Sequence, residues 1–327
     1  MSEFEYEYGT HAATGWDAAR LTCYQRDASP SLTQIEIAPD QGCNLLSFRV
    51  DEQDYIVALD RDAEEPRLLG TPILYPMPNR VRDGAFTFGG RTFRFEPNNG
   101  PNYIHGLVRD KVWDIDDPVL GQNQASLTAR YRTAPGTEAY ERFPICNTLE
   151  VTFILQPGKL SYRFAVRNED AEAALPFGLA IHPYFPIIGE RSEVRVQVPA
   201  RAHMAAEDLL PTGDLEPLDG SPYDLRQPRS LEGLDIDDVY WGLTPSKPQI
   251  ICFDRIGKVL TLEASELFTH SVVYTPAGQP FFCVENQSSS TDAHNLYARG
   301  LEEAAHLTIL PPGASLSARI DFRLSDQ

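Results

Sequence analysis

Short segments in which apolar and polar residues alternate organise this chain: 32–38, 44–50, 126–132, 149–155, 160–166, 193–198, 259–263 and 316–322 all show the pattern. A period of two sends successive side chains to opposite faces, so each segment predicts a β-strand with one buried face. Turn chemistry agrees. Gly89-Gly90 separates two aromatic runs, carrying Phe86 and Phe88 on one side and Phe93 and Phe95 on the other, and Gln156-Pro157-Gly158 separates 148–155 from 159–168. Both predict β-hairpins.

Helical spacing is weak throughout. The best candidates, 60–67 and 202–208, are too short to build a layer, and 26 prolines with 22 glycines interrupt the chain at close intervals. That distribution suits many short strands joined by loops. The expected fold class is therefore all-β, a large antiparallel β-sandwich. The 327 residues contain no internal repeat, low-complexity tract or clear linker, so a single domain over 1–327 is expected, with 214–228 as a loop-rich surface excursion.

Composition narrows the partners. With 47 acidic residues against 28 basic ones, spread along the chain, the formal net charge is -19. Such a surface repels polyanions, so neither nucleic acid nor an anionic membrane is an expected partner. The simplest reading of the charge is a solvated acidic surface. The five cysteines are scattered, odd in number and form no Cys-x-x-Cys pair, which argues against a disulfide framework or a thiolate zinc site and fits a reducing compartment. The first fifteen residues have no basic or apolar leader, and no apolar run reaches the length of a membrane span. A cytoplasmic protein, monomer or homodimer, is the expectation.

Three stretches place reactive side chains among loop-forming residues. The first holds Pro72, Pro76 and Pro78 ahead of Asn79-Arg80, and continues after the aromatic hairpin to Tyr103-Ile104-His105-Gly106. Arg80 offers a planar fork of donors for hydroxyl groups, and His105 beside a residue without a side chain can reach a ligand uncrowded. An ion pair for Arg80 and a structural hydrogen bond for His105 are the plain alternatives.

The second stretch runs from Phe177 to Pro186, an apolar strand ending at His182, which is followed by Pro183 and the rings of Tyr184 and Phe185. Histidine titrates near neutrality and can donate a proton there, although a satisfied buried histidine is as good a reading from this stretch alone. The third runs from Phe281 to Asn295, where Glu285 is expected to end an apolar strand facing a hydroxyl-rich loop. A carboxylate in that position is costly unless it is paired or functional.

Other chemistries fit less well. His105, His182 and Glu285 would make a two-histidine, one-carboxylate metal set, but no His-x-His or His-Glu-x-x-His spacing favours it, so no metal is expected. No distinctive carboxylate pair of the glycosidase type stands out, and there is no Gly-x-Ser-x-Gly elbow.

Taken in order, the Pro-x-x-Asn-Arg-Val loop with its hairpin, His105-Gly106, His182-Pro183-Tyr184-Phe185 and Val284-Glu285 resemble the aldose 1-epimerase (galactose mutarotase) family. Weaker likeness extends from Gly42-Cys43-Asn44 to Pro311-Pro312-Gly313. The resemblance implies a β-supersandwich with an open sugar cleft and no cofactor. It also implies a mechanism: the residue matching Glu285 takes the proton from the anomeric O1 hydroxyl, and the one matching His182 protonates the ring oxygen. The C1–O5 bond opens, C1–C2 rotates, and closure with reversed roles gives the other anomer.

Reference pKa values of about 4.3 for Glu and about 6.5 for His are already ordered for those roles. By the same resemblance, Arg80, His105 and Asn79 bind sugar hydroxyls and Asp237 orients the substrate, with Asp235 or Asp238 as alternative matches. Two departures stand out. Asn286 follows Glu285 where proline is frequent, and the segment after His105 leans toward the hexose-6-phosphate epimerase branch, in which Arg82, Arg109 and Lys111 would supply a phosphate site. A small aldose is the expected partner. A phosphorylated hexose, or a non-catalytic carbohydrate-binding module of the same fold, are the alternatives.

Overall fold

Alternation is visible residue by residue. In the strand Asn147–Gln156 every odd position is buried and every even one keeps some exposure. The computed structural model describes residues 2–26, 30–60 and 67–327. Among these, the three larger sheets have ten, eight and five strands, and the strand pairs within them are antiparallel. This is the all-β antiparallel sandwich expected from the pattern. Seven of the eight alternating segments lie wholly in strands, for example Asn44–Val50, Lys159–Asn168 and Ser315–Asp326, and of 193–198 the middle, Val194–Gln197, is strand.

Both hairpins form. Phe88 pairs with Arg91 across Gly89-Gly90, and Gln156 pairs with Lys159 across Pro157-Gly158. Gly89 and Gly90 have φ of 56° and 75°, the left-handed pair that a two-residue turn matching strand twist requires.

Rings join the layers. Phe48 of the five-stranded sheet lies 6.4 Å from Phe322 of the ten-stranded sheet, and Phe322 lies 5.9 Å from Phe185. Phe185 in turn lies 5.7 Å from Phe282 of the eight-stranded sheet. All four are essentially excluded from solvent, and such aromatic side chains carry a large share of the apolar area a core removes from water.

Three expectations change. Segment 202–208 is not helical: Ala202–Glu207 is a strand, paired with Leu210–Pro217 on one side and with Asp237–Trp241 on the other. Asp208 and Leu209 form the intervening turn at φ of 49° and 64°, so inter-strand pairing overrides the helix-forming residues. Segment 214–228 begins inside the strand Leu210–Pro217 and is loop only afterwards. Of the other helix candidate, 60–67, the interior 61–66 lies outside the described residues, while Asp60 and Arg67 pair with each other as strand residues. The α-helices among the described residues are short: Glu138–Arg142, Ala293–Ala298 and Glu302–Ala305. None is long and apolar enough to cross a membrane.

Candidate active site

The site is built on one face of the eight-stranded sheet. Register aligns Asp237 with Tyr274, Tyr274 with Cys283, and Cys283 with Tyr184, so these four form one row across neighbouring strands. The next row along the same face contains Val239, Val272 and Glu285. Residues opposite one another in a ladder share a face, and residues two apart return to it. Phe282 and Val284, on the other face of the strand Phe281–Gln287, belong to the main core.

Glu285 thus sits within that strand rather than at its end, as the sequence had led us to expect. Pairing continues to His270 opposite Gln287, because Asn286 and Gln287 find partners in the neighbouring strand despite their polarity. One such polar side chain is useful: Gln287 Nε2 donates to Glu285 Oε2 at 3.3 Å.

His182 reaches the same place from a second strand. Ala180 and Ile181 pair with Leu74 and Ile73, and the His182 amide donates to the Pro72 carbonyl at 3.0 Å. Its Nε2 then lies 3.2 Å from Glu285 Oε1. The Tyr184 ring stacks on the imidazole at 4.6 Å, and the His105 ring meets it edge-on at 5.3 Å.

The remaining wall comes from the proline-rich loop. Arg80–Val81 pairs with Tyr103–Ile104, and the His105 amide donates to the Asn79 carbonyl at 2.9 Å. Asn79, His105 and Gly106 take φ of 57°, 73° and 70°, unusual backbone for the first two and typical of functional turns. Gly106 has no substitute here, since a Cβ on it would lie 2.3 Å from the Tyr75 carbonyl oxygen.

Arg80 spans the opening. Its guanidinium donates to Asn79 Oδ1 at 3.1 Å and to Asn99 Oδ1 at 3.1 Å, and reaches Asp237 Oδ2 at 3.5 Å. All six residues singled out in the sequence, Asn79, Arg80, His105, His182, Asp237 and Glu285, line one cleft of about 240 Å³. The side-chain oxygen of Asn79 is already engaged by Arg80, so in this state Asn79 positions the arginine.

Strand alternation separates Asp237 from Asp238, and Asp235 lies before the strand Asp237–Trp241. Asp238 faces away from the cleft and accepts from His203 Nε2 at 2.8 Å, and Asp235 accepts from the Ala277 amide at 3.2 Å. Only Asp237 of the three lines the cleft. Arg67, Asn99, Ile104, Tyr184 and Tyr274 complete the lining. Tyr184 was quoted in its motif, and the period-two rule applied across paired strands would have found Tyr274, but neither was assigned a role from sequence.

The three cations of the phosphate-site reading are dispersed. Arg82 lies in a separate groove beside Asp292, and Arg109 and Lys111 line another, where Lys111 is paired with Glu138 at 2.7 Å.

Burial reverses the proton order that reference values imply. Removal from water raises the Glu285 carboxyl well above its ordinary range, reinforced by nearby Asp237 and opposed by the Gln287 hydrogen bond and Arg80. The same removal lowers His182 to about 3, with Arg109 and Arg67 adding repulsion. His105 is pushed well below its usual value, again mainly by burial, and Asp237 is raised by burial against the pull of Arg80. Each shift favours the neutral form. Burial thus works toward the neutral forms of both groups and against the carboxylate and imidazolium expected from sequence.

The model of the aldose 1-epimerase family matches residues 29–323. The chain belongs to that family. The galactose mutarotase of Sus scrofa is 33% identical over 160 residues, 47% of this chain and 44% of that protein. The Bos taurus protein of the same name is 29% identical over 204 residues, 58% of this chain and 57% of its own length. The matched stretches thus span about half the length of these curated relatives. Among solved structures, a galactose mutarotase-like protein from Clostridium acetobutylicum superposes with a TM-score of 0.82 at 18% identity, covering 99% of both chains. Galactose 1-epimerase from Lactobacillus acidophilus gives 0.74 at 18% identity, covering 100% of this chain and 99% of that one. These two likenesses carry the aldose 1-epimerase fold and nothing beyond it.

Proposed function

We propose that this member of the family is an aldose 1-epimerase, a mutarotase that interconverts the α and β anomers of a free hexose. The observation that carries this reading is the 3.2 Å contact between His182 Nε2 and Glu285 Oε1 at the buried side of a small polar cleft. The cleft's volume falls below the roughly 300–1,000 Å³ of sites for drug-sized ligands and suits a monosaccharide.

The carboxylic acid with neutral imidazole and the carboxylate with imidazolium contain the same single proton. Sugar hydroxyls entering between Glu285 and His182 bring dipoles that stabilise the charged arrangement, so it is reached without taking a proton from solvent. Glu285 as carboxylate then removes the O1 proton while His182 protonates O5, and the C1–O5 bond breaks. After rotation about C1–C2 the pair returns these protons in reverse as O5 attacks the other face of the aldehyde. Each turnover restores the starting state, and the chain's own residues account for every proton moved.

Arg80 and His105 bind hydroxyls at the open side, Asp237 orients the sugar through Arg80 and directly, and Tyr184 and Tyr274 offer ring faces to its C–H surface. A free aldose is preferred over a phosphosugar because Arg82, Arg109 and Lys111 lie outside the cleft lining. Polarimetry on freshly dissolved α-glucose, α-galactose and their 6-phosphates tests this reading. Acceleration of rotation change for a free sugar is expected, and none above buffer across the panel would overturn it.

A further inference from the structure

The buried side of the cleft brings the proton-transfer pair together with a third donor, Cys283, that proton transfer does not use. Cys283 precedes Glu285 by two residues in the strand Phe281–Gln287, so both side chains turn to the same face. One ligand atom from each of His182, Cys283 and Glu285 lies within 4.8 Å of the others, and all three residues are buried. The sequence had grouped His105 with His182 and Glu285. The fold instead adds the cysteine, which no motif spacing connects to His182.

One edge of the set already has the length found in a coordination shell. The 3.2 Å between His182 Nε2 and Glu285 Oε1 is close to the edge, about 3.3 Å, of a tetrahedron with metal–ligand bonds of about 2.0–2.1 Å. A sulfur donor needs only slightly longer edges. Both His182 and Glu285 line the cleft while Cys283 lies beneath it, so a fourth position faces the opening. His182 turns Nε2, the nitrogen nearest Glu285, toward this set.

Imidazole, thiolate and carboxylate together suit Zn²⁺ or another thiophilic divalent cation and are poor for Mg²⁺ or Ca²⁺, which take oxygen donors. We propose that His182, Cys283 and Glu285 form an inhibitory site for such a cation, entered from the sugar cleft. Binding displaces the thiol proton and the proton held by the His182–Glu285 pair into solvent and leaves the metal bound to thiolate, carboxylate and neutral imidazole. The pair then has no proton to move. That the site inhibits rests on the function proposed above; that it binds metal does not.

Co²⁺ added to the full, reduced chain gives a direct reading, because a cobalt–thiolate bond produces a charge-transfer absorption. The expected result is a saturable band, displaced by Zn²⁺, lost in Cys283→Ser and retained in Cys252→Ser, which changes a cysteine in the strand Gln249–Phe253 of the ten-stranded sheet. Zn²⁺ should also slow anomer exchange, reversibly with a chelator, and Cys283→Ser should need on the order of 10- to 100-fold more Zn²⁺ for the same effect. If Cys283→Ser does not fold, His182→Gln is read by the same band, whose midpoint should move to higher Co²⁺ by a similar factor. No band in the wild type, or a band unchanged in these variants, would overturn the proposal. A band that behaves as expected in a chain without epimerase activity would keep the metal site and reject the function instead.

Discussion

His182 Nε2 and Glu285 Oε1 stand 3.2 Å apart where both side chains are almost wholly removed from solvent. Burial drives their proton affinities in opposite directions, histidine down and glutamate up. An acid and a base that would differ in water in one order are thereby held in the other, in contact.

Replacing that base is informative twice. Glu285→Gln preserves shape and should reduce the polarimetric rate about 10²- to 10⁴-fold. The same change should raise the melting temperature at neutral pH. A carboxyl whose folded pKa lies above its unfolded value makes the protein less stable as pH climbs from the unfolded value toward the folded one, and Gln escapes that cost. Calorimetry at about pH 7 checks it.

The pH profile should lack the break of an ordinary histidine. A folded value of about 3 for His182 keeps it from taking a second proton until strongly acid conditions. The alkaline limb should begin where Glu285, raised above the usual carboxylate range, gives up the pair's proton. kcat/KM measured from about pH 5 to 9 should therefore show no acid limb centred on the reference histidine value of about 6.5. Activity falling as pH drops through that value would mean that His182 titrates as an exposed imidazole.

Adjacent aspartates should behave differently. Asp237→Asn should raise KM about tenfold to a hundredfold, the equivalent of a charged hydrogen bond of roughly 1.5–3 kcal/mol, because Asp237 faces the cleft and Arg80. Asp238→Asn should leave KM far less affected, since Asp238 faces His203.

His203 provides a stability test away from the cleft. Hydrogen bonds and attraction from Asp238 and Glu216 outweigh its burial and raise its pKa. A raised folded value adds stability that is complete below the unfolded pKa and is lost as pH rises through the folded one. His203→Gln should cost about 1–3 kcal/mol near pH 6, with a smaller difference near pH 9, by urea unfolding.

Gly106→Ala should damage the site through the backbone. With φ of 70° and the Tyr75 carbonyl 2.3 Å from any Cβ, the turn must shift at a cost on the order of 1–3 kcal/mol, taking His105 with it. A fall in kcat/KM accompanied by a lower melting temperature is expected; unchanged kinetics would show that the position of His105 does not matter.

Sequence alone located the alternating strands, because period-two alternation is a local consequence of a half-buried pleated backbone, and it determined the hairpins through their turn residues. The ordered motifs also named five residues that share the cleft, Asn79, Arg80, His105, His182 and Glu285, and put the sixth among three aspartates. Sequence could not separate Asp237 from Asp238, since only the paired strands fix which face each takes. It could not extend the Phe281–Gln287 strand through Asn286 and Gln287, whose polarity reads as loop until backbone pairing with the neighbouring strand places them. It misread 202–208 as a helix candidate for the same reason: pairing on both sides decides that segment. Above all, it left Glu285 and His182 with their solution proton affinities. The reversal of that order depends on how completely other segments shield the two groups from water, a property of the assembled fold.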